Sequence, residues 1–363
     1  MLKGKNFCQL LIKTVILNFM RKRLNIILLY NQRHFYPNPN DYRHQLEADF
    51  DDPETTKWQI KHLKSLGYHV IQVEADEKAY FKLYRLRKKI DLVFNLAEGI
   101  YGEDREAQMP AILEMLQIPY LGNTPLTEAL VLNKAKTKEV LMTYNVPTLS
   151  YQVFNKENEL LKKNLKFPLI LKPIAQGSSA GITNESVVFD DKSLKKQLKI
   201  LLKNFNQPVL VESFLTGREF SVAMIGNPPQ ILPIIEPNHK ILPKNYLPFD
   251  SLEVKWYFEE NGGSENYLIC PAKIDKELKN KLEKICFDTW KALGIRDWCR
   301  IDIKCDEKEN PYVLEVNAPP GIIPPEVSKS SYFPLAARAA GIDYPNLLEK
   351  LIQTALQRYR KKN

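Results

Sequence analysis

The chain has 363 residues, 44% of them hydrophobic and 26% charged, enough apolar material for two or three folding units and unlike a disordered or fibrous protein. Its 52 lysines and arginines outweigh 43 acids to give +9, but the charge is spread along the chain, with no basic stripe interleaved with aromatics to suggest a nucleic-acid surface. No apolar run reaches the ~20 residues of a membrane-spanning helix. The five cysteines are odd in number with no CxxC pair, and they point to a reducing cytoplasm rather than a disulfide framework.

Phe7 to Met20 is apolar but is interrupted by Lys13 and followed by Arg21-Lys22-Arg23 without a small-residue cleavage site. Residues 1–23 therefore read as a signal-peptide mimic or an extension ahead of a chain that begins at Met20. Leu24 to Tyr30 predicts a buried strand, Pro53 to Leu66 an amphipathic helix, Tyr68 to Val73 a second strand, Ile90 to Asn95 a third, and Glu106 to Leu116 a helix. This alternation predicts an open parallel α/β unit over 24–121, with ligands held beyond the strand C-termini. The loop AEGIYGEDREAQ after Asn95 is then a candidate binding loop carrying Glu98, Glu103 and Asp104.

A second unit, 122–212, opens with a helix predicted from Pro125 to Tyr144 that carries Lys134, Lys136 and Lys138. The apolar strand Phe167 to Pro173 ends near Lys172, where an ammonium is costly unless it meets an anion. Gly177, Ser178 and Ser179 follow in a tight loop whose backbone N–H groups suit an anion nest; lacking GK[ST] and not opening a helix, it is not a Walker loop. Pro208 to Ile225 predicts two apolar strands around a turn at Thr216-Gly217. Glu212 ends the first and Glu219 starts the second, positions that suit either a ribose or adenine contact or a solvated cap.

From Trp298 to Lys304 and from Pro311 to Val316 two runs flank polar hairpin-turn chemistry. Closing that hairpin brings Asp302 to Glu315 and Asn317, which lie two apart and so share a strand face. Three hard oxygen donors without His or Cys suit Mg²⁺ or Mn²⁺ completed by substrate phosphates. The rigid Ala-Pro-Pro that follows leads to Gly321, able to bring a backbone N–H close to a substrate.

A strand lysine, a serine loop and a downstream hard-metal triad together describe a nucleoside-triphosphate site. In this order, over about Asp91 to Leu351, they resemble the D-alanine–D-alanine ligase family of the ATP-grasp superfamily. The resemblance implies an α/β protein of ATP-grasp fold: an N-terminal open parallel α/β domain and two α+β subdomains, 122–212 and 213–363, enclosing ATP. It assigns to ATP Lys134, Lys172, Gly177, Ser178, Ser179, the hinge Glu212, Ser213, Phe214 and Leu215, and Glu219. Lys255 matches the lysine of a mobile loop over the phosphates. Asp302, Glu315 and Asn317 match the Mg²⁺ ligands, with Mn²⁺ as the alternative ion. Catalytic roles fall to Arg300, Ser178, Lys255, Gly321 and Glu103, and substrate contacts to Glu98, Ser331 and Tyr332.

The implied chemistry is ADP-forming: ATP phosphorylates a carboxylate, and an amine attacks the acyl phosphate to give an amide. In this family that serves peptidoglycan synthesis. The resemblance further implies a cytoplasmic homodimer that works on a small carboxylate and amine, with no nucleic-acid or membrane partner. Two alternatives compete, a ligase for another amino-acid or peptide pair and a non-catalytic basic nucleic-acid-binding protein.

The departures cluster in the amino-acid half. Asn31 to Phe35 leads into a long polar insertion where the family has a glycine-rich loop with an ammonium-binding Glu, leaving Glu47 or Asp49 as replacements. Glu98 stands for a His, Arg105 for a small residue, Trp256 for a tyrosine that meets the serine loop, and Tyr332 for a smaller aliphatic. Without the ammonium ligand, weak or no D-alanyl-D-alanine synthesis is expected.

Overall fold

The computed structural model describes residues 23–258 and 266–360; the apolar stretch Phe7 to Met20 and Cys8 lie outside the described residues. Its first part runs β1 (Asn25–Tyr30), α1 (Pro53–Ser65), β2 (His69–Glu74), α2 (Ala79–Leu86), β3 (Leu92–Asn95), α3 (Gln108–Met115) and β4 (Tyr120–Leu121). The strands form a parallel sheet in the order β2-β1-β3-β4. β1 is buried on both faces, as its unbroken apolar run requires. Ile27 and Leu29 pack with Met109 and Leu113, while Ile26 and Leu28 face elements from the far end of the chain.

Next come α4 (Pro125–Leu132), α5 (Lys134–Thr143), β5 (Tyr151–Phe154), β6 (Leu169–Pro173), β7 (Val187–Val188), α6 (Asp191–Phe205) and β8 (Val209–Ser213). These strands make an antiparallel sheet, β5-β8-β6-β7. Asp190 and Ser193 close a reciprocal cap at the start of α6, whose apolar face, Leu194, Leu198 and Leu201, covers Leu169, Leu171, Val209 and Val211. The single helix expected over Pro125–Tyr144 is two. Asn133 leaves the helical conformation and its side chain accepts from the Lys136 N–H at 3.1 Å, capping α5.

The last part holds β9 (Glu219–Ile225), β10 (Gln230–Ile231), a two-stranded ribbon of β11 (Glu236–Pro237) and β12 (Leu268–Ile269), α7 (Lys276–Leu293), β13 (Trp298–Cys305) and β14 (Pro311–Asn317). Its main sheet is antiparallel, β10-β9-β13-β14. The two strands expected around Thr216-Gly217 therefore belong to different sheets, and the segment between them is a crossover. Gly217 is needed because its backbone runs against β13: an added Cβ would lie 2.3 Å from the Cys305 carbonyl oxygen.

Helices α8 (Tyr332–Ala339) and α9 (Tyr344–Arg360) return to the first sheet. Phe333, Leu347, Leu348 and Leu351 join Ile26, Leu28, Phe94 and Trp298 in one core. The fully buried Asp297 fastens this return. It accepts from Arg358 at 3.0 and 2.7 Å, from the Asn227 amide at 2.6 Å and from the Gly122 N–H at 2.9 Å. Removing one partner of a buried ion pair costs about 3–5 kcal/mol. Arg358→Ala is accordingly expected to lower unfolding stability by about 3 kcal/mol in urea; a loss below about 1 kcal/mol would show that the pair is dispensable.

Candidate active site

The hairpin of β13 and β14 pairs Arg300 with Asn317 and Asp302 with Glu315, with a bulge just after Asp302. Asp302 accepts from Arg300 at 3.0 and 2.8 Å, from the Ser221 hydroxyl at 2.6 Å and from the Asn317 amide at 2.9 Å. That donation leaves the Asn317 carbonyl oxygen for a cation. Glu315 lies 3.5 Å from Lys134. Burial alone would raise the Glu315 carboxyl, but Lys134, Lys255, Lys172 and Arg300 outweigh it and hold the pKa down at about 2. Two carboxylates and an amide oxygen on one face, with no nitrogen or sulfur ligand, fit a hard divalent ion.

An apolar slot between the second and third sheets, walled by Ile170, Ile182, Phe249 and Leu314, is bordered by the hinge Ser213, Phe214 and Leu215. Lys172 reaches it, but not as the unpaired ammonium its strand suggested. Glu212 is fully buried between Lys172 and Lys138, 2.7 Å from each. Burial would lower Lys172, yet Glu212 beside it raises it; burial likewise opposes ionisation of Glu212, but both lysines hold its carboxyl below the usual value. The Glu212 side chain is thus engaged by lysines where it borders the slot beside Ser213, Phe214 and Leu215. Lys138, visible in sequence only as one of three helix lysines, completes the triad.

Glu219 also lines the slot, held by Lys304 at 2.9 Å with His239 at 3.9 Å. Sequence reasoning missed Asp250, which joins the slot to the neighbouring cleft. It accepts from Tyr332 at 2.6 Å, meets His239 at 3.2 Å and Tyr267, and its carbonyl accepts from Ser179 at 2.9 Å. Burial would raise this carboxyl, but the hydrogen bond and charge of His239 hold it well below its ordinary value.

In the serine loop both Ser178 and Ser179 are left-handed, at φ 47° and 60°. Its predicted nest is partly taken, since the Gly177 N–H donates to Asp49 at 3.3 Å. Trp256, on the π-helical turn Val254–Phe258, donates its indole N–H to the Ser178 carbonyl at 3.2 Å. A donor thus stands where the family's hydroxyl would. Lys255 on the same turn borders both the slot and the cleft, and Lys134 donates to the Gln176 carbonyl.

The cleft has a volume of about 670 Å³. Arg300, Gly321, Ser331 and Tyr332 line it, with the Ser331 hydroxyl accepting from the Ile323 N–H at 3.1 Å. Facing them is an acidic wall of Asp49, Asp51, Glu98 and Glu106. Asn31, just past β1, holds Glu98 in place by accepting from its N–H at 3.0 Å and from that of Gly99 at 3.1 Å. Glu103 is not in this site: it is exposed at the loop tip, and Glu106, three residues on, is the buried acid there. Glu47 is likewise away from it, paired with His34 at 3.3 Å, and Asp49 is bound by Arg105 at 2.6 Å. Burial raises the carboxyls of Asp51 and Glu106 to about 7, and Glu98 well above its ordinary value, with Glu106 and Asp49 adding to the effect on Glu98. The only sequence sign of Glu106 was its place at the start of a helix.

A parallel sheet leading into two antiparallel sheets with a slot between them is the architecture of an ATP-grasp ligase. Residues 140–353 match the family model described as D-ala D-ala ligase C-terminus. A D-alanine–D-alanine ligase of Carboxydothermus hydrogenoformans is 34% identical over 306 residues, covering 81% of this chain and 90% of its own. That of Pelotomaculum thermopropionicum is 34% identical over 282 residues, 74% of this chain and 81% of its own. The crystal structure of the Bacillus anthracis D-alanine–D-alanine ligase complexed with ATP superposes with a TM-score of 0.70 at 23% identity, covering 94% of this chain and all of that one. The chain belongs to the D-alanine–D-alanine ligase family, whose members are ATP-dependent ligases.

The acidic wall gives a pH signature. Glu106 keeps its proton in the folded chain up to about 7, while the unfolded chain releases it near 4.5, so this group removes stability as pH rises between those values. Glu106→Gln is expected to stabilise the protein at pH 8 by on the order of 2 kcal/mol and to leave it unchanged at pH 4. Equal melting-temperature shifts at the two pH values would contradict the buried-acid reading.

Proposed function

We propose that this chain is an ADP-forming carboxylate–amine ligase whose carboxylate substrate carries an ammonium group. The observation that supports the choice is the polarity of the cleft: cations and hard-ligand oxygens at the slot, and at the opposite wall buried carboxyls whose raised pKa the nearby Arg33 and Arg105 do not offset. The insertion supplies Asp51 to that wall, and Glu98 and Glu106 add to it. The apparent lack of an acid for the ammonium thus gives no reason against an amino acid such as D-alanine.

In this reading the substrate carboxylate oxygen attacks the γ-phosphorus of ATP and the bond to ADP breaks. Lys134, Lys172 and Lys255 surround the phosphates with positive charge. Serine-loop N–H groups of Ser178 and Ser179 orient them. Asp302, Glu315 and Asn317 would hold Mg²⁺ or Mn²⁺, which when bound neutralises charge on the transferring phosphoryl group. The amine then attacks the acyl carbon, the C–N bond forms, phosphate leaves and the amine proton is lost. Arg300 steadies the acyl phosphate and the Gly321 N–H the developing oxyanion, while Ser331 and Tyr332 border the acceptor side.

The proposed reading keeps a three-part division at 24–121, 122–212 and 213–363, supported by the grouping of the strands. It also keeps a cytoplasmic location, supported by the free thiols of Cys270, Cys286, Cys299 and Cys305, and, from the family resemblance alone, a homodimer without a nucleic-acid partner. No helix among the described residues is long and apolar enough to cross a membrane.

Glu315→Gln is expected to lower turnover at least tenfold with the fold intact, because an amide cannot balance a phosphate-bridging cation; a fully active purified variant would remove the metal assignment. The substrate class is tested by coupled ADP release with millimolar D-alanine, a panel of other amino acids and their des-amino analogues. ADP release should require the amino group, and equal rates with propionate would overturn this substrate class.

A further inference from the structure

The segment from Asn31 to Asp52, the insertion between β1 and α1, grips both loops that flank the phosphate end of the slot. At the serine loop, fully buried Gln45 accepts from the Gly181 N–H at 2.8 Å, and its amide donates to the Asn38 carbonyl at 2.8 Å. Asp49 accepts from the Gly177 N–H at 3.3 Å and from Arg105 at 2.6 Å, and Arg105 donates onward to the Ala175 carbonyl at 2.8 Å. Both ends of the loop are thus tied to one insertion. At the lysine-bearing turn, Tyr36 donates to the Trp256 carbonyl at 2.7 Å and Tyr257 to the Pro37 carbonyl at 2.9 Å, while the Arg33 guanidinium lies 4.8 Å from the Trp256 ring centre.

We propose that Asp49 is a positioning residue for ATP phosphates: through Gly177 and Arg105 it fixes the serine loop in its phosphate-receiving shape. The inference rests on the ATP reading of that loop. Two adjacent left-handed serines are a costly backbone, held only when their surroundings over-determine them. The Asp49–Arg105 pair supplies that constraint from a site where the two side chains are only 7% and 6% exposed, so solvent screens it little. Contact at Gly177 is close enough to be specific, since a Cβ there would lie 2.5 Å from the Asp49 carboxylate. Arg105 offsets the charge of Asp49, which would otherwise oppose phosphate, and this gives a reason for an arginine in place of a small residue.

The test is calorimetric titration of the full-length protein, wild type and Asp49→Asn or Asp49→Ala, with MgATP and separately with adenosine, beside a melting curve of each. Expected is a tenfold or greater weakening of MgATP with adenosine affinity changed less than twofold, because the nucleoside slot between Ile170 and Phe249 meets the loop at Ser179 and not at Gly177, the residue Asp49 holds. Unchanged or tighter MgATP binding overturns the proposal, the latter by showing that Asp49 competes with phosphate for the Gly177 N–H. Equal weakening of both ligands, or loss of the folding transition in both variants, makes Asp49 a structural ion-pair residue and likewise overturns it. Wild-type protein that binds adenosine but not MgATP, or neither, defeats the ATP reading itself and is told apart by needing no variant.

Discussion

A carboxylate held between two ammoniums, Glu212 between Lys138 and Lys172, is the interaction on which the cleft depends. It joins α5, β6 and β8 at their meeting point, and each partner is more than nine-tenths buried. Removing Glu212 alone would leave two lysine charges uncompensated in the interior, a loss of about 3–5 kcal/mol. Three charges of which two are positive leave one net positive charge, which the nearby Glu315 balances in part. An anion bound at that cationic end would stabilise the folded sheet.

From that point outward the site is polarised. Lysines and Arg300 gather around Asp302 and Glu315, whereas at the other wall of the cleft burial raises the carboxyls of Asp51 and Glu106 despite the nearby Arg33 and Arg105. An ammonium brought to that wall would draw its carboxyls into their charged form, so the polarity of the cleft would be completed by a zwitterionic ligand. Asp250 lies between the two regions: it touches Tyr332 on the cleft and His239 beside the slot, so nucleotide and substrate sides share a neighbour.

What sequence revealed and what it hid follow from sequence distance. Asp302, Glu315 and Asn317 were legible because a hairpin is local and strand alternation sets which side chains share a face. Lys172 was legible as an anomaly in an apolar strand, but its partner was not, since the pairing of β6 with β8 places Ile170 against Glu212 across forty intervening residues of unrelated pattern. Glu103 was chosen over Glu106 because a motif match carries no burial information; the fold turns one to solvent and the other inward. The Asp49–Arg105 pair and the Tyr36–Trp256 bond join an insertion to residues 56 and 220 positions away. No periodicity encodes such contacts. Asn133, by contrast, broke a helix with ordinary capping chemistry that the sequence does contain.

The return of α8 and α9 to the first sheet has a consequence for how the chain is made. One face of that sheet is covered by Phe333, Leu347, Leu348 and Leu351, which are synthesised last. Until they leave the ribosome, Ile26, Leu28 and Phe94 have from the first unit itself only Ile60 and Leu63 of α1 as helix cover on that side, so the first-made unit is the last to be completed. The second sheet has its strands and its covering helix α6 all between residues 151 and 213, and it needs nothing downstream to bury its face. Vectorial synthesis thus covers one face of the second sheet before the sheet that precedes it is complete, while the slot waits for Phe249 and Leu314.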